Sequence, residues 1–182
     1  MTRAHALAAL AVAASAAYLL GIGRPFLGPS GTLRLWVGDP RDPEGSQHLL
    51  DWWSLSHVIH GVLFFALLWL VARRLSVAWR FLGATLLACA WELFENSDAV
   101  IARYREGTVS RDYAGDSVVN VVADVLCMAA GFALAARLPV WASAVLVVGL
   151  EALAMLAIRD GLALNVLMLV WPVEAVRTWQ GG

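Results

Sequence analysis

Apolar residues run through this chain in long, nearly unbroken stretches separated by short polar segments, without the alternation of surface helices or strands. The hydrocarbon core of a bilayer takes about 20 apolar residues in a helix, with about 17–25 as the working range. Five stretches fit, over residues 4–22, 54–72, 77–96, 115–136 and 139–158. A sixth, residues 162–173, is too short to cross at full thickness, and Pro172 limits its regularity. The pattern predicts an all-α fold, an integral membrane helical bundle of five transmembrane helices plus a short C-terminal re-entrant or interfacial helix. Six crossings are the alternative. The first stretch also has the small-residue sequence Ala14-Ser15-Ala16, so a cleaved signal peptide is a second reading of it.

Composition supports this picture. The chain has 182 residues, the length of one domain. Its residues are 60% hydrophobic and 15% charged, where an ordinary soluble domain carries about 25% charged residues. Mean hydropathy is +0.71. Trp52, Trp53, Trp69, Trp79 and Trp141 fall at or near the ends of apolar runs, as interfacial belts place them. A net charge of −1 argues against a nucleic-acid partner, which calls for a basic stripe facing phosphates. Cys89 and Cys127 lie inside apolar runs with no CxxC spacing, which disfavours a zinc ribbon or redox pair.

Orientation follows from basic residues in short loops. The tight loop after the second span holds Arg73 and Arg74, with Arg80 just beyond, and no acid. The short loop after the fourth holds Arg137, and the N-terminus holds Arg3. These predict a bacterial inner-membrane protein with a cytoplasmic N-terminus.

Ionisable groups inside a span cost several kcal/mol, and by default they mark function. The second span opens with His57 and His60, the third closes with Glu92, Glu95 and Asn96, and the fourth carries Asp116, Asn120 and Asp124. Up-and-down topology brings all three groups to one membrane face, the periplasmic one in the orientation above. His57 and His60 sit about 60° apart around their helix, and Asp116, Asn120 and Asp124 advance about 40° per step. That stripe would descend about 12 Å and cannot face lipid tails.

Three readings of this cluster stay open. His57, His60, Glu92 and Asp116 are candidate ligands for a divalent transition metal, since imidazole and carboxylate donors suit zinc, iron or manganese. The second needs no metal: His57, His60, Glu92, Glu95, Asp116, Asn120 and Asp124 form a catalytic site for acid–base chemistry. Its natural substrate is lipid-like, entering from the leaflet, with Arg103, Arg105, Arg111 and Asp112 in the adjoining loop as candidate substrate-binding residues. In the third, the cluster binds a ligand or ion without turnover, or only locks the helices together. Glu151, alone on the fifth span, is expected either to complete the site or to serve Arg159 or a backbone group. His48 and Asp51 are expected to cap the second span or the cavity.

Several stretches are familiar in combination: Leu33-Arg34-Leu35-Trp36, Ser46-Gln47-His48, the run from Asp51 through His57 and His60 to Gly61, and Trp91-Glu92-Leu93-Phe94-Glu95-Asn96. Ile101-Ala102-Arg103-Tyr104-Arg105, the run from Asp112 to Asn120, Asp124 and the run from Leu164 to Ala175 complete the set. Over nearly the whole chain after the first helix, it resembles an uncharacterised family of small proteobacterial multi-pass inner-membrane proteins, a domain of unknown function. The resemblance implies location and little chemistry. Relatives carry cysteines just before the Leu-x-Leu-Trp segment, where this chain has Gly28-Pro29-Ser30-Gly31. In pattern only, an early His, a Glu in the next span and Asp-x-x-x-Asn after a loop is similar to VanZ-like membrane proteins.

Overall fold

The computed structural model describes residues 2–108 and 112–181, and these form eight helices with no strands. Five are long and apolar enough to cross a membrane: α1 (Arg3–Gly21), α2 (Ser54–Val71), α3 (Val77–Glu95), α5 (Val118–Ala135) and α6 (Val140–Ile158). The protein is a helical membrane bundle. Three shorter helices, α4 (Asp98–Gly107), α7 (Leu162–Val170) and α8 (Glu174–Gly181), lie between or after the long ones. α7 has nine residues, about 13 Å of helix, too short to cross the hydrocarbon core.

The closest helix pair is α2 with α5, and two glycines explain it. A Cβ on Gly61 would collide with the backbone of Met128, Gly131 and Phe132, and one on Gly131 with the backbone of Val58. Bare backbone therefore meets bare backbone at this crossing, the close approach that small residues allow between membrane helices. α3 packs on the pair, and α1 packs on α3 and α5. The apolar middle is Ala84, Ala88, Cys89, Val125, Met128 and Phe132. Phe65 and Phe81 both set ring edges against Phe132, with centroids 5.1 and 5.4 Å away.

α6 stands at the periphery. Its only buried residue is Ala154, while Val140, Trp141, Val145, Val148 and Leu156 are exposed, as suits a helix solvated by lipid. The chain turns sharply after α6, with Arg159 in the left-handed region at φ 55°. Glu151 then reaches across to accept hydrogen bonds from the backbone N–H groups of Leu162 (3.0 Å) and Ala163 (2.8 Å). It therefore caps α7, the backbone role among those expected for it.

Sequence periodicity placed Asp116 on the fourth span, and here the structure differs. Residues 112–117 are non-helical, and α5 begins only at Val118. Ser117 is the N-cap, its Oγ accepting from the Asn120 N–H at 3.2 Å. Gly115 takes a left-handed conformation at φ 88°, and a Cβ there would meet Ile101, Asn96 and Arg24. Asp116 thus joins the site from an extended strap, while Asn120 and Asp124 remain on the helix.

Candidate functional site

The C-terminal ends of α1, α3 and α6 and the N-terminal ends of α2 and α5 share one end of the bundle, tied there by loop contacts. Arg24 donates to Asp98 (2.5 Å) and to the Ala114 carbonyl (3.2 Å), and Val118 N–H donates to the Pro25 carbonyl (2.9 Å). Trp53 Nε1 donates to Asp160 at 3.1 Å. The loop between α1 and α2 is held by side chains: Arg34 pairs with Asp42 (2.9 Å) and Glu44 (3.6 Å), and buried His48 lies 3.2 Å from Glu44.

Beneath these loops, three helices and the strap deliver ionisable groups to one place. His57 on α2 lies between two carboxylates, with Nδ1 3.3 Å from Glu92 Oε1 on α3 and Nε2 3.8 Å from Asp124 Oδ2 on α5. Asp124 Oδ1 accepts from the Ser54 hydroxyl at 2.9 Å, and Ser54 Oγ in turn accepts from the Asp51 N–H at 3.1 Å. Asp51 caps α2 through the N–H groups of Trp53 (2.8 Å) and Ser54 (3.2 Å), the capping role expected for it.

Asn96 and Asp116 form a reciprocal pair. Asn96 Nδ2 donates to Asp116 Oδ2 and the Asp116 N–H donates to Asn96 Oδ1, both at 2.7 Å. Tyr113 O–H donates to Asp116 Oδ1 at 2.8 Å. Burial pushes the Asp116 carboxyl up to about 6, against the Tyr113 and Asn96 hydrogen bonds that favour its charged form. Burial likewise raises the Tyr113 phenol, with the Asp116 charge adding to the effect.

Glu95 Oε1 lies 2.9 Å from the Tyr104 hydroxyl, which is also 2.8 Å from the Asn165 side-chain oxygen position. A phenol has one proton. With that proton on Glu95, the Asn165 amide must turn its NH2 toward the phenolic oxygen. Glu92, Glu95 and Asp116 bring one carboxylate oxygen each to within 4.8 Å of one another.

A cavity of about 1310 Å³ opens over this cluster. Its floor includes His57, Glu95, Asp116, Asn120 and Asp124, and its rim includes Arg41, Asp112, Arg159 and Arg177. A second, small cavity of about 20 Å³ lies beside it, between His57, His60, Trp91, Glu95 and Asn165.

Other sequence-predicted residues occupy different places. His60 stacks on Phe64 (centroids 5.4 Å, 6° between planes) and meets both Trp91 and His57 edge-on, the latter with centroids 5.4 Å apart, but forms no ion pair among the described residues. Asn120 lines the cavity but donates its amide to the His48 carbonyl at 3.0 Å, pinning the first loop to α5. Arg103 donates to the Leu169 and Val170 carbonyls at the end of α7 (2.9 and 3.4 Å). Arg105 donates to the Tyr113 carbonyl at 2.5 Å. Asp112 is exposed at the mouth, and Arg111 lies outside the described residues. Tyr104, Tyr113, Ser54 and Asn165 were not anticipated. The Asp-Tyr-Ala-Gly-Asp run carried a signal for Tyr113, whereas Asn165 sits in an apolar stretch that offered none.

Residues 19–182 match a family described as "Protein of unknown function (DUF2585)". The chain belongs to this family. It is 58% identical over 171 residues to a UPF0314 protein of Paracoccus denitrificans, covering 94% of this chain and 89% of the relative. A UPF0314 protein of Novosphingobium aromaticivorans is 53% identical over 169 residues (90% and 85% covered). One from Rhizobium etli (strain ATCC 51251) is 46% identical over 176 residues (97% and 89% covered). No solved structure matches. The uncharacterised proteobacterial family expected from the motifs is the one found.

Proposed function

We propose that this protein is an inner-membrane enzyme whose site, at one end of the bundle, acts on the polar headgroup of a lipid-like or envelope substrate entering from the leaflet. On the arginine distribution, that leaflet is periplasmic. The observation that carries this reading is the cavity of about 1310 Å³ whose floor holds His57, Glu95, Asp116 and Asp124. A bundle that needed its polar groups only as glue would close over them, since polar atoms in a membrane are satisfied by burial against each other.

Asp124 faces the cavity and is the acid–base group of this reading, with Glu95 beside it in the cavity lining. Asp124 takes a proton from the attacking oxygen of water or a hydroxyl as that oxygen bonds to the substrate, and returns it to the leaving oxygen whose bond breaks, so none is consumed. His57 stands beside it, with Nε2 3.8 Å from the Asp124 carboxylate. Arg41, Arg159 and Arg177 on the rim suit an anionic headgroup.

The test is the envelope lipid profile of a deletion strain carrying wild type or Asp124→Asn. The expected result is one amphiphile accumulating in the deletion strain and equally with Asp124→Asn, at normal abundance of the variant. Full restoration by Asp124→Asn contradicts the reading. A second reading, a helix lock, is favoured by the reciprocal Asn96–Asp116 pair, which joins α3 to the strap. It expects defects that follow protein amount.

A further inference from the structure

Four carboxyl groups crowd one end of the bundle: Glu92 and Asp124 flank the His57 imidazole, and Glu92, Glu95 and Asp116 lie close to one another. Among the described residues, no arginine lies within ion-pair distance of any of them. The nearby Arg24 is spent on Asp98 and a backbone carbonyl. Carboxylates crowded in this way repel, and the repulsion is relieved by a shared proton or by an opposite charge between them.

A second, independent observation concerns Glu92. It is 1% exposed, yet its Oε1 has no hydrogen-bond partner among the described residues. The His57 imidazole stands 3.3 Å from that oxygen without hydrogen-bond geometry. Leaving a buried acceptor unsatisfied costs about 1–3 kcal/mol, and more when it is charged, so such an atom calls for an occupant.

The spacing suits a cation. Oxygens bound to one hard divalent ion at about 2.0–2.6 Å are separated by up to about 5 Å, and the three oxygens of Glu92, Glu95 and Asp116 lie within 4.8 Å of one another. An all-oxygen donor set suits magnesium, manganese or calcium better than softer metals. The hydrogen bonds from Tyr113 to Asp116 and from Tyr104 to Glu95 leave room, since an ionised carboxylate offers about four acceptor sites.

We infer that Glu92, Glu95 and Asp116 hold a hard divalent cation at the base of the cavity, which Glu95 and Asp116 line and beside which Glu92 is buried. The inference rests on the reading of the cluster as a working site and adds its cofactor class. A cation there draws an anionic headgroup past the arginine rim onto an otherwise acidic floor, and polarises the bond that Asp124 serves.

The test uses the full chain purified in detergent and stripped with chelator, then titrated with Mn2+, followed by the loss of the free-ion EPR signal and by Tm. Expected are about one equivalent bound and a Tm rise of about 5 °C or more at a hundredfold excess over Kd. Glu95→Gln and Asp116→Asn should weaken binding by at least about tenfold, and Asp112→Asn at the exposed mouth should not. Tyr113→Phe, which keeps all three carboxyls, serves if those variants misfold, and should weaken binding measurably. A monodisperse wild type that takes up neither Mn2+ nor Mg2+, or uptake unchanged in Glu95→Gln and Asp116→Asn, overturns the inference. A strain defect of these variants without bound metal overturns the cation alone and leaves the amphiphile reading standing. Metal bound by a protein whose variants fully restore the strain keeps the cation and removes that reading.

Discussion

At the scale of single residues, the cluster is held by which groups donate hydrogen bonds and which accept them. Asn96 is fully buried and satisfies both the backbone N–H and one carboxylate oxygen of Asp116. Asn96→Leu leaves two buried polar groups unpaired, at about 1–3 kcal/mol each. The expected outcome is a loss of about 2–5 kcal/mol, read as a clear drop in Tm in detergent, and an unchanged Tm contradicts the pairing. Asn96 itself was visible in the sequence as the polar end of a span. Its partner's orientation was not, because Gly115 takes a left-handed turn and moves Asp116 off the helical stripe that periodicity implied. Arg103 shows a partner that the sequence did not reveal. A loop arginine beside a polar cluster suggests anion binding, but its fork is occupied by the terminal carbonyls of α7, where any helix end offers acceptors.

At the scale of elements, the five long helices were legible because bilayer thickness imposes a length on any apolar run. Their ends in the structure fall within a few residues of those read from hydropathy. The short helices were less legible. α4 has only ten residues with a polar composition, and its start depends on one cap, Ser97 accepting from the Val100 N–H. α8 is likewise too short and polar to announce itself. The α2–α5 crossing depends on Gly61 and Gly131, whose roles emerge only from the three-dimensional approach. Gly131→Val places branched carbons against the Val58 backbone. The expected cost exceeds about 3 kcal/mol, so the variant should lose the monodisperse peak on size-exclusion chromatography. Gly149→Val, at a position with open space around it, should keep that peak. Equal behaviour of the two variants contradicts this account of the crossing.

At the scale of the whole molecule, topology turns three separate polar spots in the sequence into one site. Every second helix end returns to the same face, so His57, Glu92 and Asp124, far apart in the chain, meet within 4 Å contacts. The cavity above them could not be read from the sequence, since it is formed by loops and by α7 and α8, whose packing follows from individual capping groups such as Glu151. We propose that the cluster is a working site held under electrostatic strain, and not a lock. Proteins sacrifice stability at such sites, and neutralising one of several crowded acids relieves repulsion. The most direct test is the Tm of metal-free Glu95→Gln and Asp124→Asn in detergent, beside wild type. Both variants are expected to match or exceed the wild-type value, and a drop of several degrees in both would show that the carboxylates only hold the helices together.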